Sequence, residues 1–331
     1  MNALLLHSLK EAQNKGRLKF YENHPLSLVS TFGIGGDAGV FVLPQTQDAL
    51  CSLVSEIDQT LPYKIIGNAS NLLFSDNGYN GAIICTKHLD RLSLLDSAKN
   101  EQDAQAFELT GQKHLIFSDC GCALSHLCAF ALKNGISGFE GLCSIPATIG
   151  GAIINNAGAF GCEIADTLVA CVIYYPKSRK TVVYPIQSSD FSYRKSKLRE
   201  EDAVILSAYF SVRLGSPDQI LAKMKSNKEK RISAQPTGLR SAGSYFKRPE
   251  AHLGYERYRG KSAGELIDIC GLKGFSLGNA MISEKHANFI VNPLGQASAQ
   301  DVLALAKLVK DTVYQKTGIM LCEEIEYVPS P

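Results

Sequence analysis

The chain has 331 residues, which is more than one ordinary hydrophobic core accommodates and predicts two or three domains. Apolar residues make up 45% and charged residues 20% of the sequence, as is typical of a globular protein. The 34 Lys and Arg residues nearly balance the 32 Asp and Glu residues, so the net charge is +2. This balance excludes a broad basic surface for nucleic acid, and an anionic small molecule must be bound by a few local cations.

Residues 1–26 are predicted to form an extension before the first domain. Their apolar run, Ala3 to Leu6, is shorter than that of a secretory signal, and no basic residue precedes it. No window approaches the roughly 18 uncharged apolar residues of a membrane span. We therefore expect a cytoplasmic protein with no membrane and no nucleic-acid partner, and we expect a monomer.

The ten cysteines form no C-x-x-C pair, and most lie in apolar segments. A zinc site and a disulfide framework are the functional interpretations. The spacing of the closest pair, Cys120 and Cys122, is short for zinc. The pattern favours a reduced chain that uses cysteine as a small hydrophobe, with no metal.

β-branched and aromatic residues predict strands, and helical spacing or capping residues predict helices. The predicted strands are 62–66, 81–85, 168–175, 181–184, 203–214 and 320–328. The predicted helices are 124–132, ended by Asn134-Gly135, a short helix within 215–240, one capped by Ser262 and Glu265, and one capped by Ser298 and ended by Gly318. Residues 91–110 are polar and carry no clear pattern. Because strands and helices mix without βαβ alternation, the fold class is α+β.

Two segments are rich in small residues. The turn Ile66-Gly-Asn-Ala-Ser-Asn71 follows a strand, and its backbone N–H groups could converge on an anion. It lacks the Gly-Lys-Ser/Thr of a P-loop, and an ordinary turn is the alternative. Residues 141–161 hold many small residues and almost no charge. They suit backbone laid against a planar or anionic ligand, with a glycine-rich packing corner as the alternative.

Two further segments carry polar side chains that could take part in chemistry. Ser244 lies between Gly243 and two aromatics, with Lys247 and Arg248 following. No G-x-S-x-G frame surrounds it, which disfavours a hydrolase nucleophile. In the last predicted strand, period two places Leu321, Ile325 and Tyr327 on one face and Cys322, Glu324 and Glu326 on the other. A solvated carboxylate is the alternative interpretation there.

Six motifs occur in order along the chain. They are Thr31-Phe-Gly-Ile-Gly-Gly36, Gly67 to Leu73, Ile145-Pro-Ala-Thr-Ile-Gly-Gly-Ala152, Asn156-Ala-Gly-Ala-Phe-Gly161, Ser241-Ala-Gly-Ser-Tyr-Phe-Lys-Arg-Pro249 and Ser283 to Asn292. Together they resemble the UDP-N-acetylenolpyruvoylglucosamine reductase family, and the resemblance runs from about Thr31 to Val328. The short span between Leu214 and Ser241 resembles the subtype that lacks a longer tyrosine-bearing insertion.

The resemblance implies an FAD-binding domain of the vanillyl-alcohol oxidase type, made of lobes 27–90 and 91–222, and a C-terminal substrate domain, 223–331. It implies reduction of UDP-N-acetylglucosamine enolpyruvate to UDP-N-acetylmuramate, a peptidoglycan precursor, with FAD and NADPH. The FAD contacts it implies are Gly67, Asn68, Ala69, Ser70, Asn71, Leu72, Ile145, Pro146, Ala147, Thr148, Gly151, Ala152, Asn156, Gly158, Ala159 and Gly161.

By the same resemblance, Arg194 stabilises the charge that develops on the substrate, Ser244 donates a proton, and Glu324 is the carboxylate of the last strand. Tyr193, Lys247 and His286 are the implied substrate contacts, with Lys230 or Arg231 as an additional candidate.

Three positions depart from the family pattern. Ala69 and Ala147 replace glycines, and close backbone approach at either position requires a negative φ or a slightly longer contact. Ala234 replaces a lysine that the family often has before Gln235-Pro236, which leaves one phosphate or nicotinamide contact unassigned.

Two alternatives stay open. One is an FAD-dependent alcohol or sugar oxidase on the same scaffold, although the glycine-rich segments hold no histidine to tether a flavin. The other is a non-catalytic partner protein that has kept the fold.

Overall fold

The computed structural model describes residues 3–57 and 61–331. The helices are α1 (Ala3–Asn14), α2 (Gln47–Ile57), α3 (Glu101–Thr110), α4 (Leu124–Lys133), α5 (Ile149–Ile154), α6 (Pro217–Ala234), α7 (Ala263–Ile269) and α8 (Ala299–Thr317). The strands of the first half are β1 (Leu18–Pro25), β2 (Asp37–Pro44), β3 (Tyr63–Ile66), β4 (Leu72–Phe74), β5 (Tyr79–Cys85), β6 (Leu92–Leu95), β7 (Leu115–Asp119), β8 (Gly158–Ala159) and β9 (Cys162–Glu163).

The later strands are β10 (Leu168–Tyr175), β11 (Lys180–Pro185), β12 (Phe191–Ser192), β13 (Lys195–Ser196), β14 (Val204–Ser211), β15 (Ser276–Leu277), β16 (Ala280–Ile282), β17 (Ile290–Val291) and β18 (Glu326–Val328). Helices and strands are mixed along the chain, as the α+β class requires.

The chain forms two compact units, each assembled from separate stretches. Unit 1 contains Met1–Glu22, Val40–Asn68 and Gly81–Lys230, and unit 2 contains Asn23–Gly39, Ala69–Asn80 and Arg231–Pro331. The lobe boundaries at 90/91 and 222/223 stay predictions.

Unit 1 is built around a five-stranded antiparallel sheet of order β11-β10-β14-β7-β6. Strand β10 has the sequence Leu-Val-Ala-Cys-Val-Ile-Tyr-Tyr, and nearly all of it is buried, because this interior strand is covered on both faces. Leu5 and Leu9 of α1 lie in the same core. The segment predicted as an N-terminal extension therefore contributes to the interior of unit 1.

Unit 2 has its own apolar core, formed largely by α7 and α8 with the small sheet β15-β16-β17. Val302, Leu305, Val309 and Val313 lie on the buried face of α8, as the helical spacing predicts. Strand β18 pairs in parallel with β4, with Glu326 opposite Leu72. This pairing attaches the end of the chain to the segment that follows the small-residue turn.

Most predicted helix ends are confirmed. Ser262 and Glu265 form the predicted capping box of α7, and Gly318 ends α8 with a φ of +71°. Helix α6 is longer than the short helix predicted, since Pro217 fits the first helical position and its polar residues remain on the surface. Strand β14 ends at Ser211, before the predicted Leu214, whose side chain is exposed.

The prediction missed β6 and α3 within residues 91–110. Helix α3 has an ordinary cap, the Asn100 side chain accepting a hydrogen bond from the Asp103 N–H, and it ends at Gly111. Asp103 and Ala106 are its buried residues, so its apolar face is too narrow to give a helical pattern. Among the described residues, no helix is long and apolar enough to cross a membrane.

Candidate active site

The predicted cofactor segments of unit 1 meet at Gly67. A Cβ placed on Gly67 would lie 1.9 Å from the Thr148 Oγ1 atom, so no larger residue fits there. The Asn68 Nδ2 atom donates to the Pro146 carbonyl oxygen at 2.9 Å. The start of the small-residue turn and residues 146–148 are therefore adjacent, as the resemblance requires.

The backbone conformation at Ala69 bears on one of the three departures from the family pattern. Ala69 is buried and has a φ of +48°, whereas Ala147 keeps a φ outside the left-handed region. Of the two alternatives expected at residue 69, the negative φ does not hold, and a slightly longer contact to the cofactor stays the prediction. Alanine adopts the glycine-like conformation there at a cost of about 1–2 kcal/mol.

Asn156 organises the second half of the small-residue segment. Its side chain is buried, and its Nδ2 atom donates to the Glu163 Oε2 atom at 2.8 Å and to the Ser192 carbonyl oxygen at 3.1 Å. The two-residue turn between β8 and β9, Phe160-Gly161, has positive φ at both positions, as a tight hairpin turn requires. The hydrogen bond from Asn156 to Ser192 thus holds the small-residue segment against the β12–β13 hairpin.

Arg194 lies at the tip of the β12–β13 hairpin, with a φ of +56°. Its Nη2 atom donates to the Gly158 carbonyl oxygen at 3.1 Å and its Nη1 atom to the Asn156 carbonyl oxygen at 3.4 Å. The guanidinium also lies 5.2 Å from the centre of the Tyr193 ring. Arg194 and Tyr193 are therefore brought to the predicted cofactor segment of unit 1.

In unit 2, the segment around Ser244 is held on both sides. On one side Asn288 accepts the Tyr245 N–H through its backbone oxygen at 2.7 Å and the Phe246 N–H through Oδ1 at 3.0 Å. On the other side the Glu324 N–H donates to the Tyr245 carbonyl oxygen at 2.8 Å. Ser244 itself is half-buried and follows Gly243, whose φ is +86°.

Glu324 lies before the last strand and not within it. The predicted strand 320–328 is confirmed only from Glu326, because residues 322–324 bond to the Ser244 segment in place of β4. Leu321 and Ile325 are buried as period two predicts, but Tyr327 is exposed and Val328 is buried.

Asn71 connects the small-residue turn to Glu324. Its Nδ2 atom donates to the Glu324 carbonyl oxygen at 3.1 Å, and its own carbonyl oxygen accepts the Glu326 N–H at 2.9 Å. Unit 2 therefore brings together Ala69 to Leu72, Ser244 and Glu324.

His286 contacts Asn288, the residue that bonds to the segment after Ser244. Its Nδ1 atom accepts the Asn288 N–H at 3.2 Å, and its ring packs edge to face with the Phe289 ring, with 5.0 Å between the ring centroids. Burial lowers the pKa of His286, so a neutral imidazole is favoured. Lys247, which follows Phe246 in the segment around Ser244, is half-buried, and its backbone N–H donates to the Cys322 carbonyl oxygen at 2.8 Å.

Sequence reasoning missed the structural part played by Asn71 and Asn288. Asn288 lies inside the motif Ser283 to Asn292, yet nothing in that motif indicates that its amide would bond to residues 245 and 246. The signal that could have found it is a polar residue between the apolar residues Ala287 and Phe289.

The ten cysteine thiols are free, and most are buried. Burial raises the pKa of Cys51 and of Cys120 to about 12. Within residues 3–57 and 61–331, no group of three His, Cys, Asp or Glu side chains has metal-binding geometry.

The residues of unit 1 fit the FAD that the resemblance implies. At Gly151 a Cβ would meet only the Thr148 Oγ1 atom, at 3.4 Å, so the space beside this backbone is open to a ligand. The Asn156 Oδ1 atom is buried, and within the described part of the chain no donor reaches it. A buried acceptor without a donor is unfavourable unless a ligand supplies one.

Comparison with known proteins supports both halves of this assignment. The family model described as FAD binding domain matches residues 38–177. The model described as UDP-N-acetylenolpyruvoylglucosamine reductase, C-terminal domain, matches residues 235–328. The predicted fold class, α+β with an FAD-binding domain and a distinct C-terminal domain, is therefore confirmed.

The similarity extends over nearly the whole chain. The UDP-N-acetylenolpyruvoylglucosamine reductase of Caldicellulosiruptor bescii is 38% identical over 319 residues, which are 96% of this chain and 92% of that protein. That of Synechococcus sp. is 38% identical over 310 residues, 93% of each chain. The crystal structure of the enzyme from Thermus caldophilus matches with a TM-score of 0.72 at 32% identity, covering 95% of this chain and 99% of that one. The chain therefore belongs to the UDP-N-acetylenolpyruvoylglucosamine reductase family, a family of oxidoreductases.

Proposed function

We propose that this protein reduces the enolpyruvyl group of UDP-N-acetylglucosamine enolpyruvate to give UDP-N-acetylmuramate for peptidoglycan synthesis. The observation that carries the proposal is the hydrogen bond from the Glu324 N–H to the Tyr245 carbonyl oxygen, at 2.8 Å. It joins the backbone of Glu324, the implied carboxylate, to the residue that follows Ser244, the implied proton donor. The full-length likeness to reductases of this name supports the same assignment.

The reductant in this proposal is NADPH, and the reaction belongs in the cytoplasm. Reduction of an enol ether needs a hydride and a proton. When bound, FAD supplies the two-electron transfer between NADPH and the enolpyruvyl carbon. The remaining requirements, orientation, charge stabilisation and proton delivery, fall to the side chains of the chain itself, and a monomer supplies all of them.

Arg194 stabilises negative charge on the substrate carboxylate. Hydride arrival at C3 sends electron density from C2 onto that carboxylate, and a preorganised cation lowers the energy of the resulting state. Two carbonyl oxygens of the cofactor segment, those of Asn156 and Gly158, fix the guanidinium. The stabilisation therefore requires little reorganisation during the reaction.

Ser244 delivers a proton from Oγ to C2 of the substrate. A serine hydroxyl is a weak acid, so it acts here because the carbon it protonates is strongly basic. The Tyr245 N–H donates to the Asn288 carbonyl oxygen and the Tyr245 carbonyl oxygen accepts the Glu324 N–H, and these bonds restrain the backbone next to Ser244. Lys247 and Tyr193 are the substrate-binding side chains of this proposal, together with His286, and a solvent proton restores the serine.

The test is an anaerobic absorbance experiment on the purified protein. We expect flavin bands that NADPH bleaches and that UDP-N-acetylglucosamine enolpyruvate restores. In Ser244→Ala, NADPH should still bleach the bands, whereas recovery should slow by roughly 10²–10⁴-fold, the usual contribution of a positioned proton donor.

Ser241→Ala is the matched control, because Ser241 is a half-buried serine of the same loop whose Oγ atom accepts a weak bond from the Gly243 N–H. Its recovery rate should equal that of the unmodified protein. Recovery that needs air in place of the sugar nucleotide would overturn the proposal in favour of an oxidase.

A further inference from the structure

Unit 2 contains a cavity of about 330 Å³ that no part of the proposed reaction uses. Its lining includes Ser27, Ser30, Thr31, Gly33, Arg240 and Gly295. A volume of this size is at the lower end of those that bind small molecules. None of these residues is among the predicted cofactor or substrate contacts.

The Arg240 side chain occupies a slot that two glycines leave open. A Cβ on Gly33 would lie 2.7 Å from the Arg240 Cδ atom and 2.8 Å from Nη1, and a Cβ on Gly295 would lie 3.0 Å from Nη1. Both glycines have a positive φ, +67° and +73°. The guanidinium is therefore placed by packing against backbone.

Within the described part of the chain, the Arg240 guanidinium has neither a carboxylate partner nor a hydrogen bond. Hydroxyl groups accompany it in the lining. The Ser30 Oγ atom accepts the Phe32 N–H at 3.1 Å, which leaves the hydroxyl hydrogen to donate elsewhere, and Ser27 adds a second hydroxyl. A guanidinium fork beside hydroxyl donors is the arrangement that binds carboxylate and phosphate.

Leu28 gives the cavity an apolar edge. It is part of the lining, yet 75% of its surface is exposed. Leu294, which precedes Gly295 in the chain, is 76% exposed. Leu28 therefore supplies apolar surface that the apolar part of a ligand in the cavity would remove from water.

We propose that this cavity binds a small oxyanion, carboxylate or phosphate, on a ligand that also carries an apolar group. The oxyanion pairs with Arg240 and the serine hydroxyls, and the apolar group covers Leu28. The site is separate from the proposed function and does not require FAD or the UDP-sugar.

The test is calorimetric titration of the FAD-loaded protein with hexanoate, acetate and inorganic phosphate at one ionic strength. We expect hexanoate to bind more tightly than acetate, and Arg240→Gln to weaken binding at least roughly tenfold, the loss expected for charge-assisted hydrogen bonds. Arg240→Lys, which keeps the charge and loses the fork, should give an intermediate affinity. Arg259→Gln is the control, since Arg259 is an exposed arginine of the same unit outside the cavity lining.

Tighter binding of hexanoate than of phosphate identifies a carboxylate ligand, and the reverse identifies a phosphate ligand. Equal affinities in Arg240→Gln, Arg240→Lys and Arg259→Gln would overturn the site. Competition between the anion and UDP-N-acetylglucosamine enolpyruvate that persists in Arg240→Gln would overturn it as well, because the anion would then occupy the reaction site. A hexanoate preference unchanged in Leu28→Ser would overturn the apolar contact.

Discussion

Ala69 is a buried alanine in the left-handed region of backbone conformation, with a φ of +48°. The Cβ atom makes this conformation unfavourable for every residue except glycine. Ala69 belongs to the small-residue turn, between Asn68, bonded to the Pro146 carbonyl oxygen, and Asn71, bonded to that of Glu324. Backbone strain therefore lies within the segment predicted to bind the cofactor, as is common at functional sites.

Replacing Ala69 by glycine should stabilise the protein. Relief of the positive φ outweighs the larger entropy of an unfolded glycine, so we expect the free energy of unfolding to rise by up to about 1 kcal/mol. Thermal unfolding followed by circular dichroism measures this change as a higher melting temperature. Ala147→Gly is the matched control: its φ is outside the left-handed region, so glycine should lower the melting temperature there. A lower melting temperature in Ala69→Gly would contradict the strain argument.

Arg194 is a second residue in which conformation and proposed chemistry coincide, since its positive φ directs the chain around the tip of a two-residue hairpin. Arg194→Ala should lower kcat by roughly 10²–10³-fold and change KM little, because the cation acts on charge that develops during the reaction. Steady-state kinetics with the sugar nucleotide measures both constants.

Arg179→Ala controls for the backbone effect of that change. Arg179 is an exposed arginine with a φ of +53° in the turn between β10 and β11. The kcat of the Arg179→Ala variant should equal that of the unmodified protein. If Arg194→Ala altered KM alone, Arg194 would act in ground-state binding.

Helix α8 illustrates an element whose start depends on residues distant in sequence. Ser298 and Asp301 form a capping box, and Asp76 accepts the Ala299 N–H at 2.7 Å and the Gln300 N–H at 3.1 Å. The first N–H groups of the helix, which lack partners within it, are thus satisfied by one local and one remote side chain. Bonding to the Ser298 N–H is the chief cause that lowers the pKa of Asp301.

Asp76→Ala should lower the free energy of unfolding more than the loss of an ordinary helix cap does. We expect a loss of about 2 kcal/mol, since two charge-assisted bonds at a helix N-terminus are removed. Ser262→Ala, which removes the cap of α7, should cost about 1 kcal/mol and serves as the comparison. Urea unfolding followed by circular dichroism gives both values, and an unchanged midpoint in Asp76→Ala would refute the cap.

At the scale of the whole molecule, the interior consists of two apolar cores, one in each unit, and most of the cysteines lie within them. Their thiols are poor nucleophiles, because burial disfavours the thiolate and raises the pKa of Cys51 and Cys120 to about 12. Cys322 differs in being exposed, and it immediately precedes Glu323 and Glu324.

Thiol labelling should therefore distinguish Cys322 from the other nine cysteines. At neutral pH we expect one thiol per folded chain to react rapidly with a disulfide reagent, and ten thiols after unfolding in guanidinium. Cys322→Ser should abolish the rapid phase and leave the total at nine. Several rapid thiols in the folded protein would indicate that the cores open readily.

The fold class, the capped helices α7 and α8, and interior strands such as β10 follow from the sequence, because periodicity and capping are local properties of neighbouring residues. It also determined the family, since six ordered motifs are specific together. Helix α3 was not predicted, because it buries too few apolar residues to show a helical period.

Three-dimensional packing establishes which remote residues complete each local feature. It placed Glu324 on the Ser244 segment and not within β18, gave Ala69 a positive φ, and paired Asp76 with α8. These hydrogen bonds join residues 79 to 224 positions apart and depend on backbone direction. No sequence period encodes them, because each arises when separate stretches of chain pack into one core.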